Sequence, residues 1–201
     1  MEALQKEAEH RENGKIVDVE CYHCVRRGSS AAPACFALSE PALGIILPEE
    51  VVHHPTFQEI SLMCVDLYCW ANVSDTPHTT CRTLTIPSRQ DLYSFNMERS
   101  RGIDAANVIT ILIKHKGYTL QQAVDHAGGK FGGLVQRLVQ ARQFFPRFGP
   151  EIDCAVDKYI DAMGMLVIGF MNWAFETDRY FGQMGEEVKK TRIVKLFPRR
   201  C

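Results

Sequence analysis

Several features are missing from this sequence of 201 residues, and each absence removes a class of protein. No apolar run approaches the ~20 residues that span a bilayer; the longest, Met163 to Met171, is far shorter, so no membrane span is expected. Neither charge sign is in excess. Lys and Arg number 23 against 24 Asp and Glu, a net charge of −1, so no global field draws nucleic acid or an anionic membrane. Any anion must then be held by a few local arginines. Strict apolar–polar alternation is absent, which argues against half-buried sheets, and no internal repeat marks a solenoid. Eight cysteines are present, but only Cys21 and Cys24 form a C-x-x-C pair, with Cys35 further on. Without a second pair or an H-x-x-x-H, four tetrahedral zinc ligands are not assembled. Buried free thiols are the expectation and zinc binding the alternative. Met1 to Asn13 is charged and polar, so no secretory leader is expected and the expected location is cytoplasmic.

What is present is helical apolar spacing. With 46% hydrophobic and 9% aromatic residues the chain can bury one sizeable core, so residues 1–201 are read as one domain. The spacing predicts a polar helix over Glu2 to Arg11 stopped at Asn13-Gly14, then a helix over Ile16 to Arg27. Ala31 to Gly44 is broken by Pro33 and Pro41 and predicts a split helix. A strong helix is predicted over Thr56 to Asn72, and another from Asp91 through Met97 toward Lys116. Thr119 and Gln122 form a capping box for a helix reaching Phe144, weakened or closely packed at its Gly128-Gly129 and Gly132-Gly133 pairs. Pro150 suits the first turn of a final helix running to Phe181, ended by Gly182 and Gly185 and followed by a basic tail. The fold class is all-α. Val73 to Gln90, rich in threonine and proline, reads as an irregular insertion.

The chemistry concentrates in Asp91-Leu92-Tyr93-Ser94-Phe95-Asn96-Met97-Glu98. Ser94 and Glu98 lie one turn apart on one helix face, and helical side chains lean toward the N-terminus, bringing the carboxylate back toward the hydroxyl. Two hard oxygen donors so placed suit Mg²⁺, although solvated faces carry such pairs as readily. The position one turn earlier is Gln90.

In its wider context, DLYSFNMERSRG closely resembles the second metal-binding motif of class I terpene synthases, N-D-(L/I)-x-S-x-x-x-E, in the fungal sesquiterpene-cyclase style. Trp173-Ala174-Phe175-Glu176-Thr177-Asp178-Arg179-Tyr180-Phe181 is similar to that family's terminal Arg-Tyr pair. Tyr22-His23-Cys24-Val25-Arg26-Arg27 followed by Pro33-Ala34-Cys35-Phe36-Ala37-Leu38 is similar to its diphosphate-sensor helix and the broken helix after it. The resemblance runs in order from about Asp18 to Pro198. It implies the C-terminal half of an all-α class I terpenoid-synthase bundle. It also implies Mg²⁺ held by Asn, Ser and Glu, and a prenyl diphosphate, usually farnesyl diphosphate, held by Arg26, Arg179 and Tyr180. Tyr93, Trp70 and Trp173 are candidates to line the hydrocarbon pocket, with ordinary core packing as the alternative for each. For Arg26 and Arg27 the alternative is a solvated helix end.

The family's Asn is supplied here by Asn72, not Gln90. Deleting Val73 to Gln90 gives CWAN-DLYSFNMERSRG, which restores the motif and joins two helices into one. On an uninterrupted helix Asn72, Ser94 and Glu98 would fall within an arc of roughly 80°. Residues 73–90 are therefore read as a retained intron, with a genuine surface loop as the alternative, and metal affinity is expected to drop while they remain. The family's earlier acidic motif, D-D-x-x-D, has no match in the sequence. The 201 residues are thus expected to be inactive as they stand. The competing reading is a non-catalytic helical interaction protein that self-associates through an uncovered apolar face.

Overall fold

In a computed structural model, residues 2–14, 16–70, 84–85 and 90–198 are described. Helix α1 (Glu2–Glu12) lies against α2 (Val19–Ser29), which starts at Asp18, whose side chain accepts from the Cys21 amide. The two helices approach closely at Gly28, where an added Cβ would come 2.7 Å from Ala3 Cβ. Three short helices follow, α3 (Ala32–Ala37), α4 (Ser39–Leu43) and α5 (Glu49–Val52), realising the split expected around Pro33 and Pro41.

Helix α6 (Pro55–Trp70) is the central element. Its last two turns bury Met63, Cys64, Val65, Asp66, Leu67, Cys69 and Trp70, so no side is left to solvent, as a helix packed on several sides requires. It touches α2, α3 and α5 and the later helices α7 (Gln90–Arg101), α9 (Leu120–Gln143) and α10 (Pro150–Glu176). Phe57, Ile60 and Met63 pack with Val156, Ile160 and Met163 of α10 in one core cluster. Trp70, Phe95, Ile109, Leu112, Val124 and Phe175 belong to a second.

Sequence spacing ran two pairs of elements together. The stretch expected to continue toward Lys116 ends at Arg101, where Gly102 takes φ +72°. A 3-10 turn (Asp104–Ala106) then leads to α8 (Val108–Lys116), capped by Asn107. The final helix stops at Glu176, because Thr177 is extended and its hydroxyl accepts from the Arg179 amide, opening α11 (Asp178–Phe181). The expected basic tail instead contains α12 (Gly185–Thr191) and strand β2 (Ile193–Val194), which pairs antiparallel with β1 (Leu84–Thr85). Within the segment read as an insertion, that strand and the start of α7 at Gln90 are described; the remainder lies outside the described residues. Helix α9 has the Thr119–Gln122 capping box and runs unbroken through its glycines. Among the described residues, a Cβ at Gly129, Gly132 or Gly133 would meet nothing within 4 Å.

Candidate metal and diphosphate site

Ser94 and Glu98 sit one turn apart on α7, both half-buried. Their oxygens converge on one donor. The Asn107 amide nitrogen donates to Ser94 Oγ at 3.3 Å and to Glu98 Oε2 at 3.0 Å. Asn107 is 0% exposed, and its own oxygen accepts from the Ile109 amide at 3.0 Å. A hydroxyl and a carboxylate gathered on one small donor form a set that suits a hard divalent cation. Asn72, the third expected ligand, lies outside the described residues.

About 200° around α7 from Ser94, at roughly 100° per residue, Asn96 faces the other way and is only 2% exposed. Its amide donates to the Lys195 carbonyl at 2.9 Å and its oxygen accepts from the Phe197 amide at 2.7 Å. Arg99 adds a 3.3 Å bond to the Phe197 carbonyl. The C-terminal segment is thus strapped to the back of the helix that carries Ser94 and Glu98.

Arg179 and Tyr180 lie on α11, which packs directly on α7. Tyr180 is buried, whereas Arg179 is exposed and stands 5.6 Å over the Tyr180 ring. Trp173 meets Tyr180 edge-on at 6.0 Å, Phe170 meets Trp173 at 5.7 Å, and Tyr68 of α6 meets Phe170 at 4.8 Å. Burial raises the Tyr68 phenol above its ordinary value; Cys35, Tyr180 and Cys69 add to this, and Arg26 opposes it.

Neither Arg26 nor Arg27 is the solvated helix end that the sequence left open. Arg26 meets Glu7 of α1 at 3.3 Å, with both side chains largely shielded. Arg27 makes a two-pronged pair with Asp66 of α6, at 2.6 and 2.7 Å. The tighter pair belongs to Arg27; Arg26 is the looser of the two.

A cleft of about 810 Å³ opens between α2, α6, α8 and α9 and takes in none of the five predicted site residues that are described. Trp70 lies there with its ring 4.3 Å from His23. Burial, with help from Arg27 and Lys130 and against the pull of Asp66, lowers His23 to about 4. Tyr93's side chain lies outside the described residues. Sequence reasoning missed Asn107, Tyr68 and Phe170. Two of them carried a signal: Tyr68 stands one turn before Asn72 on the same stripe, and Phe170 one turn before Trp173.

The helices, their order and this polar cluster define an all-α, class I terpenoid-synthase fold. Among solved structures, the linalool/nerolidol synthase of Streptomyces clavuligerus in complex with 2-fluorogeranyl diphosphate superposes with a TM-score of 0.69 at 19% identity, over 86% of this chain and 54% of that one. That likeness speaks for the fold. The chain belongs to the family described as terpene synthase family 2, C-terminal metal binding, whose model matches residues 1–137. It is 38% identical to alpha-muurolene synthase of Coprinopsis cinerea over 97% of this chain and 41% of the relative. To sesquiterpene synthase 6 of Postia placenta it is 36% identical, over 98% of this chain and 52% of the relative. The chain thus spans about half the length of the curated relatives it matches.

Proposed function

We propose that this chain carries the metal- and diphosphate-binding half of a sesquiterpene synthase acting on a prenyl diphosphate, farnesyl diphosphate above all. The observation that carries the reading is the convergence of Ser94 and Glu98 on Asn107, on a helix packed against the one bearing Arg179 and Tyr180. Asn72, Ser94 and Glu98 would hold Mg²⁺. When bound, that ion supplies Lewis-acid stabilisation of the diphosphate leaving group.

The chain's own residues do the rest. Arg26 trades its loose Glu7 contact for diphosphate oxygens, and Arg179 and Tyr180 donate to the same group, fixed charge aimed where charge develops. The row Tyr68, Phe170 and Trp173 offers ring faces to the hydrocarbon and to positive charge on it. No protein nucleophile is needed.

The 201 residues alone are read as inactive, because their sequence holds this stripe but no D-D-x-x-D. Incubation with farnesyl diphosphate and Mg²⁺, followed by gas chromatography, should give no hydrocarbon above a Glu98→Ala control. Product above that control would overturn the inactive reading. Fusing the first half of alpha-muurolene synthase ahead of the chain, with residues 73–90 removed, should restore product, and Glu98→Ala should abolish it.

Residues 73–90 are read as a retained intron. Helix is described up to Trp70 and again from Gln90, which supports this, since removing the segment joins two helical runs into one element. Sequencing the mature transcript decides the matter: a message still encoding TPHTTCRTL would end the idea.

One observation favours a second reading, a non-catalytic interaction protein. Along α10 the outward positions switch from Asp157, Lys158 and Asp161 to Met165, Ile168 and Trp173, the last 45% exposed. That apolar face suits a second copy of the chain or the complementary half of the family's fold.

A further inference from the structure

Asn107 does two jobs with the two ends of one amide. The oxygen caps α8 through the Ile109 amide, and the nitrogen faces Ser94 and Glu98 on α7. Capping alone would be served by serine, threonine or aspartate, whose side-chain oxygens also accept from the second amide of a helix. Those residues have no N–H₂ group to send across to the neighbouring helix. The chain from Gly102 to Asn107 turns back so that this nitrogen arrives at the carboxylate, and the Ile103 amide donates to the Glu98 carbonyl on the way. At 0% exposure water does not substitute for the nitrogen.

We infer that Asn107 is the positioning residue of the metal site: its side-chain N–H₂ holds the Ser94 hydroxyl and the Glu98 carboxylate in the orientation that receives a divalent cation. The inference rests on the proposed metal role of those two residues. A serine hydroxyl on a helix rotates among three staggered wells, and a glutamate carboxylate has three torsions to fix. A donor shared between them removes that freedom before the cation arrives. Outer-shell partners of this kind are worth roughly 10–100-fold in metal affinity.

The test uses the 201-residue chain and Mn²⁺ as the probe, with free Mn²⁺ followed by its electron paramagnetic resonance. Wild type should bind Mn²⁺ and Glu98→Gln should not. Asn107→Ser retains a capping oxygen, so its circular dichroism and melting should stay close to wild type while Mn²⁺ affinity falls at least about tenfold. A folded Asn107→Ser with wild-type affinity would overturn the inference and leave the metal reading standing. A wild type that binds no Mn²⁺, either as the 201-residue chain or with residues 73–90 removed, overturns the metal reading and this inference with it. Should Asn107→Ser fail to fold, the Asn107 side-chain amide signal in wild-type nuclear magnetic resonance serves instead. Mg²⁺ should shift it in wild type and leave it unmoved in Glu98→Gln; a signal indifferent to Mg²⁺ in a chain that binds Mn²⁺ would overturn the inference.

Discussion

Arg26 and Arg27 are neighbours on α2, yet carboxylates hold them with unequal firmness. Asp66 is buried on the central helix and grips Arg27 with both oxygens, a geometry that fits the planar guanidinium. Asp66→Ala takes away the carboxylate that pairs with this cation and should cost about 2–3 kcal/mol, less than a fully buried pair because Arg27 reaches solvent. Urea denaturation measures it. Arg26 instead meets Glu7 of α1, at the longer distances of 3.3 and 3.4 Å. Beside them His23 is kept neutral by burial, its Nε2 without a hydrogen-bond partner among the described residues. Its folded value of about 4 lies below the ordinary 6.5, so the unfolded chain takes up a proton first as pH falls. Stability due to His23 is therefore complete above about pH 6.5 and lost as pH drops toward 4. The loss is of order 2–3 kcal/mol. Between pH 7 and 4 the melting temperature of wild type should fall relative to that of His23→Leu, which lacks the titrating group.

At the scale of elements, α7 is held from two sides by two asparagines, and neither role was legible beforehand. Ser94 and Glu98 stood out in the sequence because their spacing matches a helix face and a family motif. Asn96 and Asn107 did not, since their value lies in partners distant in the chain: the backbone at Lys195 and Phe197 for one, a helix beyond a turn for the other. Periodicity also ran across Gly102 and Thr177, because the apolar pattern continues in phase on both sides of each break. Capping signals were read well where they stood alone, as at Thr119 and Pro150. Replacing Asn96 by Ala removes both tail bonds and should destabilise the chain by about 1–2 kcal/mol. Hydrogen exchange at residues 193–197 should quicken first. Gly28→Val should push α1 away from α2 through Ala3 and separate Glu7 from Arg26, which proteolysis in residues 2–14 would report.

For the whole molecule, the fold class followed from composition and spacing, and the cores formed where those spacings meet. What spacing did not reveal is how unevenly the surface is finished. The first half of α10 turns charges outward, while its second half turns out Met165, Ile168 and Trp173. A surface of that kind should draw copies together. Sedimentation at rising concentration should show association, and Met165→Lys with Ile168→Glu should shift the chain toward monomer without lowering its melting temperature.

The strap of residues 195–197 across the rear of α7 also bears on how the protein is handled in the laboratory. A purification tag or fluorescent protein appended at Cys201 would pull on a cord tied to the very helix that carries the proposed cation ligands. Such a fusion would blunt metal uptake without altering any residue of the site.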